Sequence, residues 1–257
     1  PIDRREEHMK IAVCVKRVPD TEARIKVGPD GKSPDPAGVE TVLSPYDEIA
    51  LERAIALKEA GTAEEVVVVT LGPQEATKEV RTGLAMGADK GVLIVDDGAR
   101  DSFATAAALA GALEELGADM ILFGWKAIDT DASQVPYYVA HKMGLPIVSV
   151  VTSLDVEDGK AVARRESDGA TQVLEVPLPA IFTAQKGLAG PRYASLKGIM
   201  MAKRKPLDEK AAEAAEGLVE VVKMEPPPPR AEGRIVGEGV EAVPALIDAL
   251  KNEAKVL

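Results

Sequence analysis

Cysteine, histidine and aromatic residues are scarce in this 257-residue chain, and each scarcity limits the chemistry available to it. The single cysteine, Cys14, excludes an internal disulfide, and no Cys/His spacing resembles a zinc site. The two histidines, His8 and His141, leave little material for a Ser–His or Cys–His catalytic pair. Because Cys14 stands inside an apolar run, we interpret it as a buried structural thiol. We interpret His141 as a surface or interface residue.

Basic charge and long apolar runs are also in short supply. The formal net charge is −11, which would repel nucleic-acid phosphates over most of the surface, so we expect no nucleic acid partner. No apolar run approaches the ~20 residues of a membrane span. The charged start, PIDRREEHMK, lacks the apolar middle of a signal peptide. We therefore predict a cytoplasmic location, or an organelle matrix after processing, with residues 1–8 as an N-terminal extension before Met9.

What the chain does contain is a regular alternation of strands and helices. Near-continuous apolar runs such as EEVVVVTLG, KGVLIVDD and DMILFG predict strands that are buried on both faces. The helix in SPYDEIALERAIALKEAG has Ser44 as its predicted N-cap, Pro45 at the first helical position, Asp47 three residues after the cap and Gly61 at its end. Strict alternation through residue 150 predicts an α/β fold with a doubly wound, mostly parallel sheet.

The pattern changes after residue 150. GKAVARRES, ATQVLEV and PAIFTAQ are short runs separated by turn residues, which predicts an added antiparallel meander. DEKAAEAAEGL predicts a short charged helix or linker, and the four prolines at 226–229 predict an extended segment. The last segment, EAVPALIDALKNEAKVL, predicts an amphipathic helix. We therefore predict a core over residues 9–205 and an extended C-terminal arm over residues 206–257 that needs a surface to dock on.

A ligand would collect at the carboxyl ends of the predicted parallel strands. KRVPDT, SPYD, LGP and GWKAIDTDASQV meet there, and Gly72 and Gly124 would let a ligand approach the backbone closely. The chain contains neither GxGxxG nor GxxxxGK[ST], but the helix predicted to begin near Ala132 offers free amides for phosphate. The same residues fit a capping box in which Asp131 caps the helix and Gln134 reaches back. The two interpretations are compatible.

Asp129 and Asp131 also raise the possibility of a metal site or a pair of catalytic carboxylates. No third oxygen ligand stands at a suitable spacing, so we predict no metal. Nothing else in the chain indicates a sugar cleft, which disfavours a glycosidase pair. We therefore predict no catalytic residues.

Five segments together resemble the beta subunit of electron transfer flavoprotein. VKRVPDT, SPYDEIALERAIALKE, RTGLAMGAD, AIDTDASQ and PRYASLKGIM occur in the order of that family and with similar spacing, from Met9 onward. The resemblance implies a Rossmann-like core that binds an adenine nucleotide. It also implies a heterodimer in which the arm embraces an alpha subunit carrying the redox-active FAD. The chain would then be an electron carrier rather than a classical enzyme.

Carried over by position, the family's nucleotide contacts fall on a few short segments of this chain. Cys14 and Leu71 would contribute mainly backbone contacts, because their side chains offer little to a nucleotide. The other cofactor-binding residues that the resemblance implies are Ser44, Pro45, Tyr46, Asp47, Gly124, Trp125, Lys126, Ala127, Ile128, Asp129, Thr130, Asp131, Ala132, Ser133, Gln134 and Val135.

The segment PRYASLKGIMMAKRK resembles the loop by which the family grips dehydrogenases, which places a recognition loop at about residues 184–206. Leu196 falls on the anchoring leucine, and Arg192, Tyr193 and Lys203 are further predicted partner contacts. The alternative is that the basic stretch is a solvated charge run. The implied partners are flavin dehydrogenases such as acyl-CoA dehydrogenases. A quinone oxidoreductase or ferredoxin would be the acceptor, with membrane contact only through partners.

Two branches of the family differ in the nucleotide that the beta subunit holds. In one branch it is AMP, which is structural; in the bifurcating branch a second FAD accepts hydride from NADH. Residues 19–21 follow the bifurcating pattern, whereas Ser44 and Trp125 depart from it. We favour a second FAD, with its isoalloxazine near residues 17–21 and Tyr46. The alternative function is a stand-alone adenine-nucleotide-binding regulator of universal stress type.

Overall fold

The computed structural model describes residues 9–98, 100–157, 159–190, 192–229 and 232–257. The extension predicted for residues 1–8, with His8, lies outside the described residues. Within the described part of the chain the strands are β1 Lys10–Cys14, β2 Arg17–Pro19, β3 Thr41–Leu43, β4 Glu65–Gly72, β5 Lys90–Val95, β6 Met120–Gly124, β7 Ile147–Glu157, β8 Lys160–Ser167, β9 Ala170–Pro177, β10 Ala180–Ala184 and β11 Leu207–Ala211. The α-helices there are α1 Pro45–Glu59, α2 Thr77–Met86, α3 Ser102–Leu116, α4 Val135–Met143, α5 Leu196–Ala202 and α6 Val243–Asp248.

One nine-stranded sheet organises the molecule, in the spatial order β11-β5-β4-β1-β6-β10-β7-β8-β9. All neighbours from β11 to β7 are parallel, and β8 and β9 extend the sheet as antiparallel strands. A separate short hairpin pairs β2 with β3. Short 3₁₀ turns precede α2 and α6, and a π-helical turn follows α6.

Helices cover both faces of the parallel part of the sheet. On one face α1 and α2 pack with Ile11 and Val13 of β1, and on the other face α3 and α4 pack with Ala12 and Cys14. Successive side chains of β1 therefore enter opposite cores, which explains why the strand is apolar at every position. The predicted α/β fold with a doubly wound, mostly parallel sheet is confirmed.

The chain changes direction at β1, and this creates a crevice. After β1 it builds β4 and β5 on one side, and it then returns through α3 to place β6 on the other side of β1. Connections leave neighbouring carboxyl ends in opposite directions at such a point, and ligands of doubly wound sheets bind there. Cys14 and Gly124 are the last residues of the two strands at this crevice.

The predicted antiparallel meander is only partly correct. β7, β8 and β9 are antiparallel, but PAIFTAQ forms β10, which lies parallel between β6 and β7. Every residue of β10 is buried, as expected for an interior strand with helices on both sides. The short segment after β9 therefore returns to the centre of the sheet instead of extending its edge.

Three other local predictions are wrong in part. DEKAAEAAEGL was predicted as a charged helix or linker; its first four residues belong to the strand Leu207–Ala211 beside β5, where Lys90 pairs with Asp208 at 2.6 Å, and residues 212–217 are irregular, as a linker would be. The apolar run MKIAVCVKRVP, residues 9–19, predicts one buried strand, but the first strand ends at Cys14 and residues 17–19 pair with β3 instead. The pattern of residues 23–27 allows one short strand, but the structure has only an isolated bridge there, between Val27 and Pro34.

Candidate functional site

A buried carboxylate, that of Asp47, joins the three elements that border the crevice. It lies in the first turn of α1 and accepts hydrogen bonds from the amides of Lys16, after β1, and Gly124, at the end of β6, at 2.8 and 2.9 Å. Gly124 has no room for a side chain, because a Cβ there would lie 2.4 Å from Oδ1 of Asp47 and 2.7 Å from Cβ of Tyr46. The sequence suggested that Gly124 lets a ligand approach the backbone. In the structure it is the start of α1 that approaches Gly124 closely.

Burial is the main influence on the pKa of Asp47. It raises the pKa of this carboxyl to about 7, although the amides of Lys16 and Gly124 favour the charged form. Burial, followed by the charge of Asp47, also raises the pKa of the Cys14 thiol well above its usual value. A thiol of this kind is not a nucleophile at neutral pH, which agrees with a structural role for Cys14.

Of the two predicted helix caps, Ser44 takes its predicted position and Asp131 does not, and neither side chain makes a cap bond. Ser44 is the N-cap residue of α1, as predicted, but its Oγ is buried without a hydrogen-bond partner in the described residues. At α4 the residue before the helix is Gln134, also without a cap bond. Asp131 instead pairs with Lys126 at 2.7 Å and has a left-handed φ of 52°. The carboxylates of Asp47 and Asp131, which the local pattern assigned to helix starts, instead bind distant amides and a loop lysine.

The loop between β6 and α4 is held in place by charges and rings. Lys16 pairs with Asp129 at 2.7 Å, which ties the loop to the end of β1. The Trp125 ring meets Tyr46 edge-on with centroids 5.7 Å apart, and Nζ of Lys126 lies 4.8 Å from the Trp125 centroid. These contacts fix the loop over the amino end of α1.

Four successive backbone amides at the end of this loop have no acceptor in the described part of the chain. They are the amides of Ala132, Ser133, Gln134 and Val135. The left-handed φ of 51° at Ser133 turns the chain into the first turn of α4. Unpaired amides at such a turn and at a helix amino end attract anions, phosphate above all.

The four residues that carry these amides line a cleft of about 900 Å³ at the crevice between β1 and β6. The volume lies in the range of small-molecule sites. Predicted residues that line it are Cys14, Asp47, Leu71, Gly124, Trp125, Lys126, Ala127, Thr130, Ala132, Ser133, Gln134 and Val135. Predicted residues that do not line it are Ser44, Pro45, Tyr46, Ile128, Asp129 and Asp131. The indole Nε1 of Trp125, in the cleft wall, is buried and has no partner in the described residues. The cleft has room for an adenine nucleotide and offers unpaired donors at one end, with both apolar and charged side chains in the rest of its lining.

Sequence reasoning missed two walls of the cleft. One is the amino end of α3, where Asp101 caps the helix through the amide of Ala104 and Phe103 lines the cleft. The local pattern suggests the neighbouring Ser102 as a possible cap, which is one residue too late. The other is the arm, whose residues 218–221 also line the cleft. The order of strands places α3 there, but no local pattern indicated that the arm returns to the core.

The predicted partner residues surround the short helix α5. Tyr193 is 89% exposed and Leu196 is 80% exposed, and Lys203 is exposed at the end of the helix. Arg192 is different, because its guanidinium makes four hydrogen bonds of 2.6–3.1 Å to Glu52 and Glu59 of α1. Its donors are used within the chain.

Two further observations concern metals and membranes. In the part of the chain that the structure describes, no group of three or more His, Cys, Asp or Glu side chains is arranged to hold a metal ion. None of the described helices is long and apolar enough to cross a membrane.

Fold and site together define an α/β protein with a cleft at the switch point of a doubly wound sheet. The model of the electron transfer flavoprotein domain matches residues 35–215. The electron transfer flavoprotein subunit beta of Syntrophomonas wolfei is 47% identical over 250 residues, which cover 97% of this chain and 98% of that protein. The same subunit of Bradyrhizobium diazoefficiens is 41% identical and covers 97% and 100%. Subunit CarD of the caffeyl-CoA reductase–Etf complex of Acetobacterium woodii is 39% identical over 77% of each chain.

The chain belongs to the electron transfer flavoprotein family, as a beta subunit. The resemblance of its five segments to that family is thereby confirmed, and the alternative of a universal stress-type regulator is not favoured. Its function is electron transfer as part of a flavoprotein.

Proposed function

We propose that this chain pairs with an FAD-carrying alpha subunit and binds an adenine nucleotide in the cleft between β1 and β6. The observation that carries the proposal is the row of unpaired amides from Ala132 to Val135 at the cleft. These amides would hold phosphate, and Asp47 would keep the surrounding strand ends in place. FAD supplies reversible electron uptake when it is bound, and the protein supplies orientation and exclusion of water.

The lining of the cleft supports AMP over a second FAD. Residues 17–21 and Tyr46, where the isoalloxazine of a second FAD was predicted, are not among the lining residues. The Tyr46 ring is packed against Trp125 instead. This favours a mononucleotide whose role is structural, against the preference for FAD that the sequence suggested.

Nucleotide analysis of the purified heterodimer tests both statements. We expect one FAD and one AMP per heterodimer after denaturation and chromatography. Two FAD without AMP would overturn the choice of AMP and indicate the bifurcating type. Absence of any second nucleotide would overturn the assignment of the cleft.

We further propose that α5 presents Leu196 to a flavin dehydrogenase. Arg81 of α2 donates to the carbonyls of Ala202 and Lys205 at the end of α5, and Lys205 donates to the carbonyls of Leu84 and Ala88 at the end of α2. This reciprocal bonding fixes α5 on the core while its apolar outer face remains exposed, which suits a transient docking contact.

The class of dehydrogenase follows from resemblance to relatives. CarD is named as part of a caffeyl-CoA reductase complex, which supports a partner that acts on CoA thioesters, such as an acyl-CoA dehydrogenase. A quinone oxidoreductase or ferredoxin would receive the electrons. The predicted cytoplasmic location, with membrane contact only through partners, belongs to the same proposal.

A further inference from the structure

The first part of the C-terminal arm crosses the nucleotide cleft between two anchors. After β11 the chain reaches Asp101 at the amino end of α3, where the amides of Leu218 and Val219 bond to its carboxylate. Six residues after Leu218, the amide of Met224 bonds to the carbonyl of Gly31 at 2.8 Å. The segment thus spans from the α3 side of the cleft to the turn at residues 28–33.

Asp101 performs two tasks with its two carboxylate oxygens. Oδ1 accepts from the amide of Ala104 at 2.8 Å and so caps α3. Oδ2 accepts from the amides of Leu218 and Val219 at 2.5 and 2.9 Å. The carboxylate therefore accepts hydrogen bonds from the amino end of α3 and from an irregular segment of the arm at the same time. A neutral side chain with one acceptor atom cannot accept both sets of bonds.

The second anchor, the turn at residues 28–33, lies on the opposite side of the cleft. Besides the bond from Met224 to Gly31, it holds the arm through an ion pair between Nζ of Lys32 and Glu220 at 2.8 Å. Lys32 and Ser33 line the cleft on this side, and Phe103 lines it on the other. Residues 218–221 of the arm lie between them as part of the same lining.

We propose that residues 218–221 form a wall of the nucleotide cleft and that Asp101 is the positioning residue that keeps this wall in place. The proposal rests on the proposed function of the cleft and adds residues to it that the resemblance did not imply. With the wall in place, the arm restricts the exit of the nucleotide from the cleft. Loss of the two amide bonds to Asp101 should therefore speed nucleotide release.

Asp101→Asn separates the two tasks of the carboxylate. Asn is as good a helix N-cap as Asp, so its oxygen can still serve Ala104. Its amide nitrogen then faces the amides of Leu218 and Val219, donor against donor. Asp101→Ser also retains a cap and lacks an acceptor for the arm. Agreement between the two variants excludes an effect that is peculiar to Asn.

The control variant is Glu216→Gln. Glu216 is exposed, stands in the arm just before the crossing segment, and has no partner in the part of the chain that the structure describes. It removes the same charge from the same region without touching the anchor. We expect it to behave as the unmodified chain does.

Two measurements on the heterodimer with its alpha subunit test the proposal. Hydrogen exchange of the peptide that contains Leu218 and Val219 reports the anchor, and exchange of bound nucleotide against excess isotope-labelled AMP reports the wall. In both Asp101 variants we expect faster hydrogen exchange in that peptide and nucleotide release that is faster by about tenfold or more, as expected for lost bonds to a charged acceptor.

The outcomes are distinct. Unchanged hydrogen exchange in both variants would overturn the role of Asp101. Faster hydrogen exchange with unchanged nucleotide release would overturn the wall. An unmodified heterodimer without any nucleotide in this chain would instead contradict the proposed function of the cleft, and the hydrogen-exchange result would still report on the anchor.

Discussion

At Gly124 the end of β6 and the start of α1 leave no space for a side chain. A Cβ would lie 2.4 Å from Oδ1 of Asp47 and 2.8 Å from the backbone carbon of Tyr46. We expect Gly124→Ala to lower the free energy of unfolding by about 3 kcal/mol, because the backbone must shift to relieve the overlap. Denaturant unfolding followed by the fluorescence of Trp125, the one tryptophan in the sequence, measures the effect.

Gly190→Ala is the matched control for this prediction. A Cβ at Gly190 would meet nothing within 4 Å, and its φ is not left-handed. We expect a change within about 0.5 kcal/mol. Equal losses in the two variants would contradict a specific close approach at Gly124.

Because the pKa of Asp47 is raised, we expect the free energy of unfolding to depend on pH. Its pKa is raised to about 7 in the folded chain from the ordinary value of 3.8, so the folded state binds more protons between these values. Its contribution to stability is therefore complete below about pH 4 and is lost as the pH rises through about 7. We expect Asp47→Asn to remove this dependence and also to cost about 1–3 kcal/mol at pH 5, because its single oxygen cannot serve both amides.

The measurement is the free energy of unfolding of both forms at several pH values between 4 and 8. The difference in the free energy of unfolding between the unmodified chain and Asp47→Asn should narrow as the pH rises. Asp97→Asn is the control, since Asp97 is exposed and has no partner in the described residues. A gap that stays constant across this range would show that Asp47 does not titrate as argued.

The sequence identified these residues but not their bonds. Local patterns place Asp47 three residues after a helix cap and Asp131 at a cap itself, and both patterns concern bonds within a helix start. The partners of Asp47 are the amides of Lys16 and Gly124, which are 31 and 77 residues away along the chain. A capping pattern contains only local spacing, so it cannot reveal that a distant amide competes for the same oxygen.

At the scale of elements, Arg192 connects the recognition loop with α1. It bonds to both Glu52 and Glu59 through the planar fork of its guanidinium. Lys has no such fork, so we expect Arg192→Lys to loosen the start of the loop. Steady-state electron transfer from a reduced acyl-CoA dehydrogenase should then show a KM raised about threefold with kcat little changed.

Arg24→Lys is the control for Arg192, because Arg24 is exposed and has no partner in the described part of the chain. If Arg192 instead contacted the dehydrogenase directly, its ion pairs with Glu52 and Glu59 would not matter for docking. In that case Glu52→Gln with Glu59→Gln would leave the KM unchanged, whereas a positioning role requires it to rise.

Leu196 is the exposed apolar residue that α5 presents for docking. We expect Leu196→Ala to raise the KM for the dehydrogenase tenfold or more, because a central anchor contributes about 2 kcal/mol or more, while the nucleotide is retained. Ile25→Ala removes an exposed apolar side chain elsewhere and should have no effect. Loss of the nucleotide in place of docking would contradict the assignment of the loop.

The elements differ in how well their pattern predicts them. Val66 to Val69 of β4 are fully buried, as an apolar run predicts. β10 has the same kind of run but was assigned to a meander, because a short segment does not encode which neighbours it pairs with. β11 is charged, and its Asp208 and Lys210 pair with Lys90 and Glu115. A charged run of this kind predicts a helix or a linker. The segment alone does not show that residues at the edge of the sheet provide partners for its charges.

At the scale of the whole molecule, the core is complete without the last helix. Val243, Leu246 and Ile247 of α6 occupy one face at helical spacing and are 47%, 45% and 50% exposed. In the described residues neither buried core cluster includes them. A regular apolar face that the chain itself leaves uncovered suits the proposed alpha subunit.

We therefore expect the double substitution Leu246→Glu and Ile247→Glu to abolish recovery of the heterodimer while the chain keeps its own stability. Two charges on this face would have to be buried without partners at the interface, which is strongly unfavourable. Size-exclusion chromatography of the co-expressed subunits and unfolding of the isolated chain measure the two effects separately. Lys251→Glu makes the same change in net charge at an exposed position of the arm and should leave the heterodimer intact. If the double variant still co-elutes with the alpha subunit, α6 is not the docking element and the heterodimer must be held by another surface.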